Sequence, residues 1–332
     1  MFRRHVLRAF LAAAALSLGL GASAAAQERL KVVASFSILA DLVREVGGES
    51  IDLRMLVGPD GDAHVFQPTP ADARAVADAA VLVVNGLGFE GWIDRLQRSS
   101  GFKGRLVVAS EGVTPLTMED DHGHGHGHGH SHGHRHGHSH GHSHGEARKK
   151  AKPAEAVPDP HAWQDLANAR IYVDNIARGL AEADPANAAA YARRADAYKQ
   201  RLAALDARLR ADFDALPKAK RRVITSHDAF QYFGRAYGIE FIPATGVSTD
   251  AQPSARQIAA LIAQIRKEKV KALFIENMSN PRQLEQIARD SGASIAGTLY
   301  SDALSPPGGP ADTYLKMVEH NATALKDGMA RN

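Results

Sequence analysis

The sequence predicts an α/β protein with two lobes joined by one long backbone helix and a ligand site in the cleft between the lobes. Short apolar runs alternate with amphipathic segments up to about residue 110, and the same alternation returns after about residue 220. Between them, residues 185–216 contain no Gly and no Pro beyond Pro185. A helix of about 31 residues reaches roughly 46 Å at 1.5 Å per residue, which is enough to bridge two domains. Its apolar side chains recur at three- and four-residue steps: Tyr191, Ala195, Tyr198, Leu202, Leu205, Leu209 and Phe213.

Each element of the first half has a local signal. Strands are predicted at residues 30–34, 52–56, 80–84 and 106–109, and helices at residues 38–46 and from residue 69 onward. Residues 80–84 are apolar throughout, as expected for a strand that is covered on both faces. Thr69 and Pro70 suit the N-cap and the first helical position, because Thr can accept from free helix N–H groups and Pro lacks an N–H.

The second half repeats the alternation. Strands are predicted at residues 222–225, 239–242, 271–275 and 294–298, and helices at residues 229–237, 254–268, 281–291 and 312–326. In such folds ligands bind beyond the carboxyl ends of the strands. We therefore expect the functional residues in the loops that follow strands, where the two lobes face each other.

Residues 1–26 have the pattern of a cleavable secretory signal. Arg3, Arg4 and Arg8 precede an apolar stretch at residues 9–20, and small residues end at Ala26. A transmembrane anchor is less favoured, because the stretch is too short to span a bilayer. We therefore expect a periplasmic protein. The domain boundaries that we predict for the rest of the chain are residues 27–165 for the N-terminal lobe, 166–217 for linking helices and 218–332 for the C-terminal lobe.

The composition excludes several classes of protein. The absence of Cys excludes disulfides, thiolate metal ligands and a lipid anchor on an N-terminal cysteine. Lys plus Arg total 40 and Asp plus Glu total 37, but three of the Arg residues lie in the signal, which leaves 37 of each sign. A chain without net charge has no general attraction for nucleic acid, so we expect no nucleic-acid partner. The absence of Cys leads us to expect no lipid anchor.

A histidine-rich segment interrupts the N-terminal lobe. Gly, Ser and one Arg separate its histidines, and charged residues flank it, so it cannot bury an apolar face. We predict a disordered insertion over residues 117–157. Its alternating imidazoles predict weak, exchangeable metal sites at twelve positions: His122, His124, His126, His128, His130, His132, His134, His136, His138, His140, His142 and His144.

Outside the signal and this insertion only four histidines remain. His64, His161 and His227 lie in loops of the kind that line a cleft, whereas His320 lies on the last predicted helix and is interpreted as a surface or core-edge residue. Asp302 follows the strand 294–298 and occupies a comparable position. Three imidazoles and one carboxylate would suit a tetrahedral Zn²⁺ site, although each residue taken singly also fits an ordinary loop role. Glu276 and Asn277 could orient a ligand, but a plain strand-end role is favoured.

Five motifs, spread over nearly the whole chain, resemble those of the zinc/manganese solute-binding proteins of bacterial ABC importers. They are Gly61-Asp62-Ala63-His64 with Gln67-Pro68-Thr69-Pro70, Val83-Val84-Asn85-Gly86-Leu87-Gly88-Phe89-Glu90-Gly91-Trp92, Asp159-Pro160-His161-Ala162-Trp163, Ser226-His227-Asp228-Ala229-Phe230-Gln231-Tyr232-Phe233, and Leu299-Tyr300-Ser301-Asp302-Ala303-Leu304. The resemblance implies two α/β lobes with a long backbone helix, in agreement with the pattern above. It also implies that the metal ligands are His64, His161, His227 and Asp302.

The resemblance further implies a carrier that captures Zn²⁺ and passes it to a membrane permease with a cytoplasmic ATPase. Manganese members tend to have Glu where this chain has His227, and imidazole suits zinc better than manganese. A manganese or mixed carrier, or a periplasmic zinc store or chaperone without a transporter, is the alternative. An enzyme is not expected, since no H-E-x-x-H motif occurs. We expect a monomer. The histidine-rich segment is expected to collect zinc for the cleft, and buffering of excess zinc or a dispensable role is the alternative.

Overall fold

The N-terminal lobe is built on a four-stranded parallel sheet. The computed structural model describes residues 28–118, 157–246, 248–249 and 253–332. The strands lie in the order β2-β1-β3-β4, and every neighbouring pair is parallel. Their bounds are β1 Leu30–Phe36, β2 Ile51–Val57, β3 Val81–Val84 and β4 Arg105–Val108. β3 is buried along its whole length, which confirms the expectation of a strand covered on both faces.

Three helices accompany this sheet: α1 Ser37–Gly47, α2 Pro70–Asp78 and α3 Ile93–Ser100. The predicted start of α2 is confirmed, because the Thr69 hydroxyl accepts from the Asp72 N–H while the Asp72 carboxylate accepts from the Thr69 N–H. The sequence did not predict α3. Only one of its residues, Leu96, is buried, so its apolar pattern is too sparse to indicate a helix.

A short hairpin marks the two ends of the predicted insertion. β5 (Thr117–Met118) pairs antiparallel with β6 (Val157–Pro158). The first two residues and the last residue of the insertion predicted as disordered are therefore strand residues, because each finds a partner across the ladder. Residues 119–156, with all twelve alternating histidines, lie outside the described residues.

Two long helices link the lobes. α4 (Leu166–Ala183) packs against α5 (Ala188–Asp214), and a 3₁₀ turn over residues 185–187 separates them. The backbone helix predicted over residues 185–216 is thus an α-helix of 27 residues, about 40 Å long at 1.5 Å per residue. All seven apolar residues that predicted this helix are buried, so one face of α5 contributes to the core along its length.

The C-terminal lobe has a second four-stranded sheet, with the order β10-β9-β7-β8 and parallel pairing throughout. Its strands are β7 Arg222–Thr225, β8 Glu240–Pro243, β9 Ala272–Glu276 and β10 Ser294–Leu299, and its helices are α6 Gln231–Tyr237, α7 Ala255–Glu268, α8 Pro281–Ser291 and α9 Tyr314–Met329. β7 and α8 match their predicted bounds. α9 begins two residues later than predicted, because Thr313 is its N-cap and accepts from the Lys316 N–H.

One hydrophobic core runs from the N-terminal sheet through α4 and α5 to α9, and a smaller one lies beneath α7 and α8. α9 packs on β10 and also contacts α1 and α5. The Tyr314 N–H, at the start of α9, donates to the Asp41 carboxylate of α1 at 2.8 Å. These contacts set the loops after β2 and β6 opposite the loops after β7 and β10. Within the described ranges, no helix is both long and apolar enough to cross a membrane.

Candidate metal site

His64 lies in the loop between β2 and α2, six residues after a tight turn begins at Gly58. In that turn the Gly61 N–H donates to the Gly58 carbonyl at 3.1 Å, and Asp60 has a φ of +54°. Proline at the second position and a positive φ at the third are the features of a type II turn. The Asp62 carboxylate then accepts from the His64 N–H at 2.9 Å, which fixes the backbone of His64 relative to the turn.

His161 follows the β5–β6 hairpin and is fully buried. One carboxylate oxygen of Asp159 accepts from the His161 N–H at 3.0 Å and lies 2.8 Å from the ring Nδ1. The preceding Pro160 carbonyl accepts from the side-chain amide of Asn85 at 2.9 Å, and the Tyr172 hydroxyl donates to the other end of that amide. Because a carboxylate only accepts, the neutral form of this imidazole carries its proton on Nδ1 and its lone pair on Nε2.

His227 is held in the same way from the C-terminal lobe. It follows β7, and its N–H donates to Glu276 Oε1 at 2.9 Å while its Nδ1 contacts Glu276 Oε2. Glu276 is the last residue of β9, the neighbour of β7, and its own N–H donates to the Ser226 hydroxyl. The plain strand-end role favoured for Glu276 from sequence is therefore wrong. Only the adjacency of β7 and β9 brings this carboxylate to His227.

Asp302 follows β10 and is fully buried. The carbonyl of the preceding Ser301 accepts from the Trp163 indole N–H at 3.0 Å and from the Gln164 side chain at 2.8 Å. One residue earlier, the backbone of Tyr300 makes two hydrogen bonds to the Asn321 side chain of α9. The loop that carries Asp302 is thus fixed from both lobes.

The four side chains converge on one point. The Nε2 atoms of His64 and His227 lie 3.2 Å and 3.0 Å from Asp302 Oδ2, and His161 Nε2 lies 3.5 Å from Asp302 Oδ1. One candidate ligand atom from each residue lies within 4.8 Å of all the others. Ligands held at about 2.0–2.1 Å around one tetrahedral ion are roughly 3.3 Å apart, so the spacing around Asp302 fits such an ion.

The candidate ligand atoms of these four residues also lack other hydrogen-bond partners. Within the described part of the chain, the three Nε2 atoms and both Asp302 oxygens are buried and have no hydrogen-bond partner outside this group. Buried polar atoms are normally paired, and a cation would satisfy all five together. The arrangement is therefore a candidate metal site made of three nitrogen donors and one carboxylate.

The electrostatics of the site favour a cation. Burial tends to lower the pKa of His227, but the carboxylates of Glu276 and Asp302 outweigh it and hold that pKa well above its ordinary value. Burial tends to raise the pKa of Asp302, yet His227 and His161 hold it well below its usual range. Asp302 therefore stays ionised, and positive charge is stabilised at the point where the imidazoles meet.

Aromatic side chains close the site on the N-terminal side. The Phe89 ring lies 4.7 Å from the His64 ring, and the Trp163 ring lies 5.3 Å from the His161 ring, measured between centroids. Trp92 donates from its indole N–H to the Ala63 carbonyl beside His64 at 2.8 Å. These rings are buried packing residues, and they keep the site in an apolar surrounding.

Comparison with known proteins identifies the family. The family of the periplasmic component A of the zinc-uptake complex, ZnuA, matches residues 32–328. The chain belongs to the ZnuA family. It is a solute-binding protein of a metal ABC importer rather than an enzyme.

Individual relatives of this ZnuA-family protein carry names with different metals. The manganese-binding lipoprotein MntA of Halalkalibacterium halodurans is 30% identical over 304 residues, which cover 92% of this chain and 90% of the relative. The iron ABC transporter substrate-binding lipoprotein MtsA of Streptococcus pyogenes is 30% identical over 317 residues and covers 94% of this chain and 92% of its own. Both are named lipoproteins, whereas this sequence contains no cysteine.

Solved structures agree with the fold. The periplasmic zinc-binding protein TroA of Treponema pallidum superposes with a TM-score of 0.77 at 27% identity, covering 91% of this chain and 99% of that chain. A manganese-bound periplasmic metal-binding protein from Candidatus Liberibacter asiaticus superposes with a TM-score of 0.73 at 26% identity, covering 91% and 100%. The two parallel-sheet lobes and the long connecting helix predicted from sequence are therefore confirmed.

The structure brings together all four residues proposed from sequence and leaves His320 outside the group. His320 lies on α9, and its Nε2 is 3.0 Å from the Thr298 carbonyl. Asp159 and Glu276, which face the outer nitrogens of two histidines, were not predicted as partners. Asp159 lies only two residues before His161, so this contact could have been predicted from the sequence. Glu276 and His227 are 49 residues apart, and no local pattern predicts their contact.

Proposed function

We propose that this protein captures Zn²⁺ in the periplasm and delivers it to an ABC-type permease that works with a cytoplasmic ATPase. The ligands in this proposal are His64, His161, His227 and Asp302. The observation that carries it is the convergence of three unpaired imidazole nitrogens on one buried, ionised carboxylate. Four protein donors would close a zinc site, which suits a carrier better than a hydrolase that needs an open position for water.

The donor set supports zinc over manganese. Mn²⁺ prefers oxygen donors in an octahedral arrangement, whereas tetrahedral nitrogen-rich sets suit Zn²⁺. In the described residues, the group offers three nitrogens and the oxygens of a single carboxylate. Glu276 and Asp159 would further strengthen two of these imidazoles as donors, because a carboxylate partner raises the basicity of a ligating histidine. Relatives named for manganese and iron make a manganese or mixed carrier the alternative.

Competition against a zinc chelator would test the proposal on a chain in which residues 119–156 are replaced by Asn-Gly. This dipeptide suits a two-residue turn between β5 and β6, so the ladder from Met118 to Val157 is kept. We expect one tightly bound Zn²⁺ per chain, lost in His64→Ala and His227→Ala and kept in His320→Ala. Manganese bound as tightly as zinc would favour the mixed carrier. No tight metal at all would refute the cleft site and favour a store based on the histidine-rich segment.

We assign the twelve alternating histidines an auxiliary role, in which their weak sites collect zinc for the cleft. The sequence pattern alone supports this role, and buffering of excess zinc is the alternative. Growth of cells on scarce zinc with the full chain and with the shortened chain would separate the two. If cells with the shortened chain grow poorly only on scarce zinc, collection is supported. If they grow poorly only on excess zinc, buffering is supported.

The proposed location is the periplasm, reached through a cleaved signal at residues 1–26, without a lipid anchor. The absence of cysteine supports this, since lipidation of related carriers would need an N-terminal thiol. We also propose a monomer, because one chain supplies all four ligands. Fractionation of cells and mass measurement of the mature chain would test these points: release with the periplasmic fraction and a mass without lipid are expected.

A further inference from the structure

We propose that Asp60 and Asn277 are positioning residues that hold the loop carrying His64 against the C-terminal lobe and thereby set the rate at which the metal leaves. This inference rests on the proposed carrier function, and it concerns residues outside the ligand set. The two side chains are 217 residues apart in sequence and meet across the cleft, where Asn277 Nδ2 donates to Asp60 Oδ1 at 2.7 Å.

Asp60 is a rigid point of the His64 loop. It occupies the positive-φ position of the turn that begins at Gly58, a conformation that favours Gly and Asn but is costly for most other residues. Its own N–H donates across the cleft to the Leu304 carbonyl at 3.0 Å. Asp60 is therefore fixed at both its backbone and its side chain by the opposite lobe, even though it is exposed.

Asn277 connects the same point to the remaining C-terminal ligands. It directly follows Glu276, the partner of His227, and its Nδ2 also lies 3.3 Å from the Ala303 carbonyl, next to Asp302. One amide group thus joins the loop of His64 to the segments beside His227 and Asp302. A shift of Asp60 away from the C-terminal lobe would break this link.

The exit of an ion is expected on the His64 side of the site. The His64 side chain is 6% exposed, whereas the His161 and Asp302 side chains are 0% exposed and that of His227 is 1% exposed. Asp62, which holds the His64 N–H, is also bound to the C-terminal lobe through the Thr249 hydroxyl at 2.7 Å. Opening the site towards solvent therefore requires the His64 loop to separate from the C-terminal lobe, and the contact between Asp60 and Asn277 opposes that separation.

Stopped-flow transfer of zinc from the full-length protein to an excess of chelator would test the inference. Asp60→Gly keeps the positive-φ backbone without strain and removes only the carboxylate, so it isolates the side-chain contact. We expect Asp60→Gly and Asn277→Ala to release zinc about three- to tenfold faster, the range for losing one exposed hydrogen bond, with little change in the association rate. The double variant should release zinc no faster than Asn277→Ala alone, because both changes remove the same contact.

Two controls separate this contact from general destabilisation. Asp60→Asn keeps both the turn and an acceptor for Asn277, so its release rate should stay near that of the wild type. Glu319→Gln weakens another exposed contact, the ion pair with Arg208 on α5, by removing its negative charge, and should also leave release unchanged. Wild-type release rates in both Asp60→Gly and Asn277→Ala would overturn the inference, as would equal acceleration in Glu319→Gln.

Hydrogen exchange in the metal-free protein gives a second measurement that needs no zinc. The Asp60 amide should be protected by the Leu304 carbonyl, and Asn277→Ala should reduce that protection severalfold. Unchanged protection would overturn the inference even if zinc binds normally. A wild-type chain that binds no zinc would instead refute the proposed function, so the two failures can be told apart.

Discussion

Two sets of contacts hold the loops of the candidate metal site across the cleft, and they differ in burial. The inner contacts are those from Trp163 and Gln164 to the Ser301 carbonyl, and all three residues are buried. The rim contacts are those of Asp60, whose carboxylate accepts from Asn277 and whose N–H donates to the Leu304 carbonyl, and Asp60 itself is exposed. The inner contacts fix His161 relative to Asp302, whereas the rim contacts fix His64.

The difference has an energetic consequence. Breaking an inner contact leaves a buried polar atom unpaired, which costs about 1–3 kcal/mol, while water can replace the partner at the rim. The His161–Asp302 half of the site is therefore expected to persist without metal, and the His64 half to open first. One permanent half and one movable half would allow tight capture and still permit release.

The largest effect is expected from Asp302→Asn, because Asp302 lies against all three histidines and so contacts both halves of the site. Loss of the only carboxylate in the proposed set should weaken zinc binding about a thousandfold, equivalent to roughly 4 kcal/mol. Isothermal titration with a competing chelator would measure it. His320→Ala serves as the control, and a loss of less than tenfold in Asp302→Asn would remove this residue from the ligand set.

The stability of the fold should also depend on pH through Asp41, the buried carboxylate of α1 that binds the start of α9. Burial raises the pKa of Asp41 to about 6 from 3.8, although the Tyr314 N–H and Arg44 oppose this. A carboxyl with a raised folded-state pKa stabilises the fold below the unfolded value of 3.8 and loses that contribution as the pH rises to about 6. The loss is about 3 kcal/mol at 1.36 kcal/mol per pKa unit.

Asp41→Asn removes this titration and keeps an acceptor for the Tyr314 N–H. The free energy of unfolding, measured with urea between pH 4 and pH 7, should therefore fall less steeply with rising pH in the variant than in the wild type. Parallel pH profiles for the two proteins would contradict the assignment. Glu319→Gln, at the surface, should leave the profile unchanged.

Zinc binding should weaken as the medium becomes acidic. The raised pKa of His227 means that a proton competes with the metal for this nitrogen in the metal-free protein. With one proton displaced per ion, the affinity should drop about tenfold per pH unit, or about a hundredfold between pH 7 and pH 5. Chelator competition across that range is the measurement, and a flat profile would argue against a histidine-rich site.

Trp163→Phe probes the inner contacts directly. It removes the indole N–H that binds the Ser301 carbonyl and leaves a small gap among Phe36, Phe89 and His161. We expect the protein to lose about 2 kcal/mol of unfolding free energy. If the inner half is permanent, zinc release should change less in this variant than in Asn277→Ala, and the reverse order would invert the comparison.

The smallest effect is expected from Glu276→Gln. The amide can still face His227, but it no longer favours the tautomer and basicity that a carboxylate imposes. We expect zinc affinity to fall about tenfold, the low end for such partners. Asp159→Asn is the matched variant in the other lobe. A much larger loss for Glu276→Gln than for Asp159→Asn would show that the C-terminal half is the more sensitive one.

Much of the fold could be predicted because its signals are local. The seven apolar residues of α5 share one face at helical spacing, and β7 and α8 were predicted to the residue. α3 was missed because it buries only Leu96, and α5 begins at Ala188 rather than 185 because a 3₁₀ turn comes first. A helix that buries little surface has little periodicity to detect.

The sequence by itself determined the two lobes, the long helix and the types of donor atom, since three loop histidines, one aspartate and no cysteine leave only nitrogen and oxygen. The tertiary structure alone decided that their atoms meet within 4.8 Å, that Glu276 faces His227 and that Asp60 reaches Asn277. The physical reason is that these contacts join residues far apart in the chain. Strand order and the packing of α9 against α1 create them, and neither leaves a periodic or local mark in the sequence.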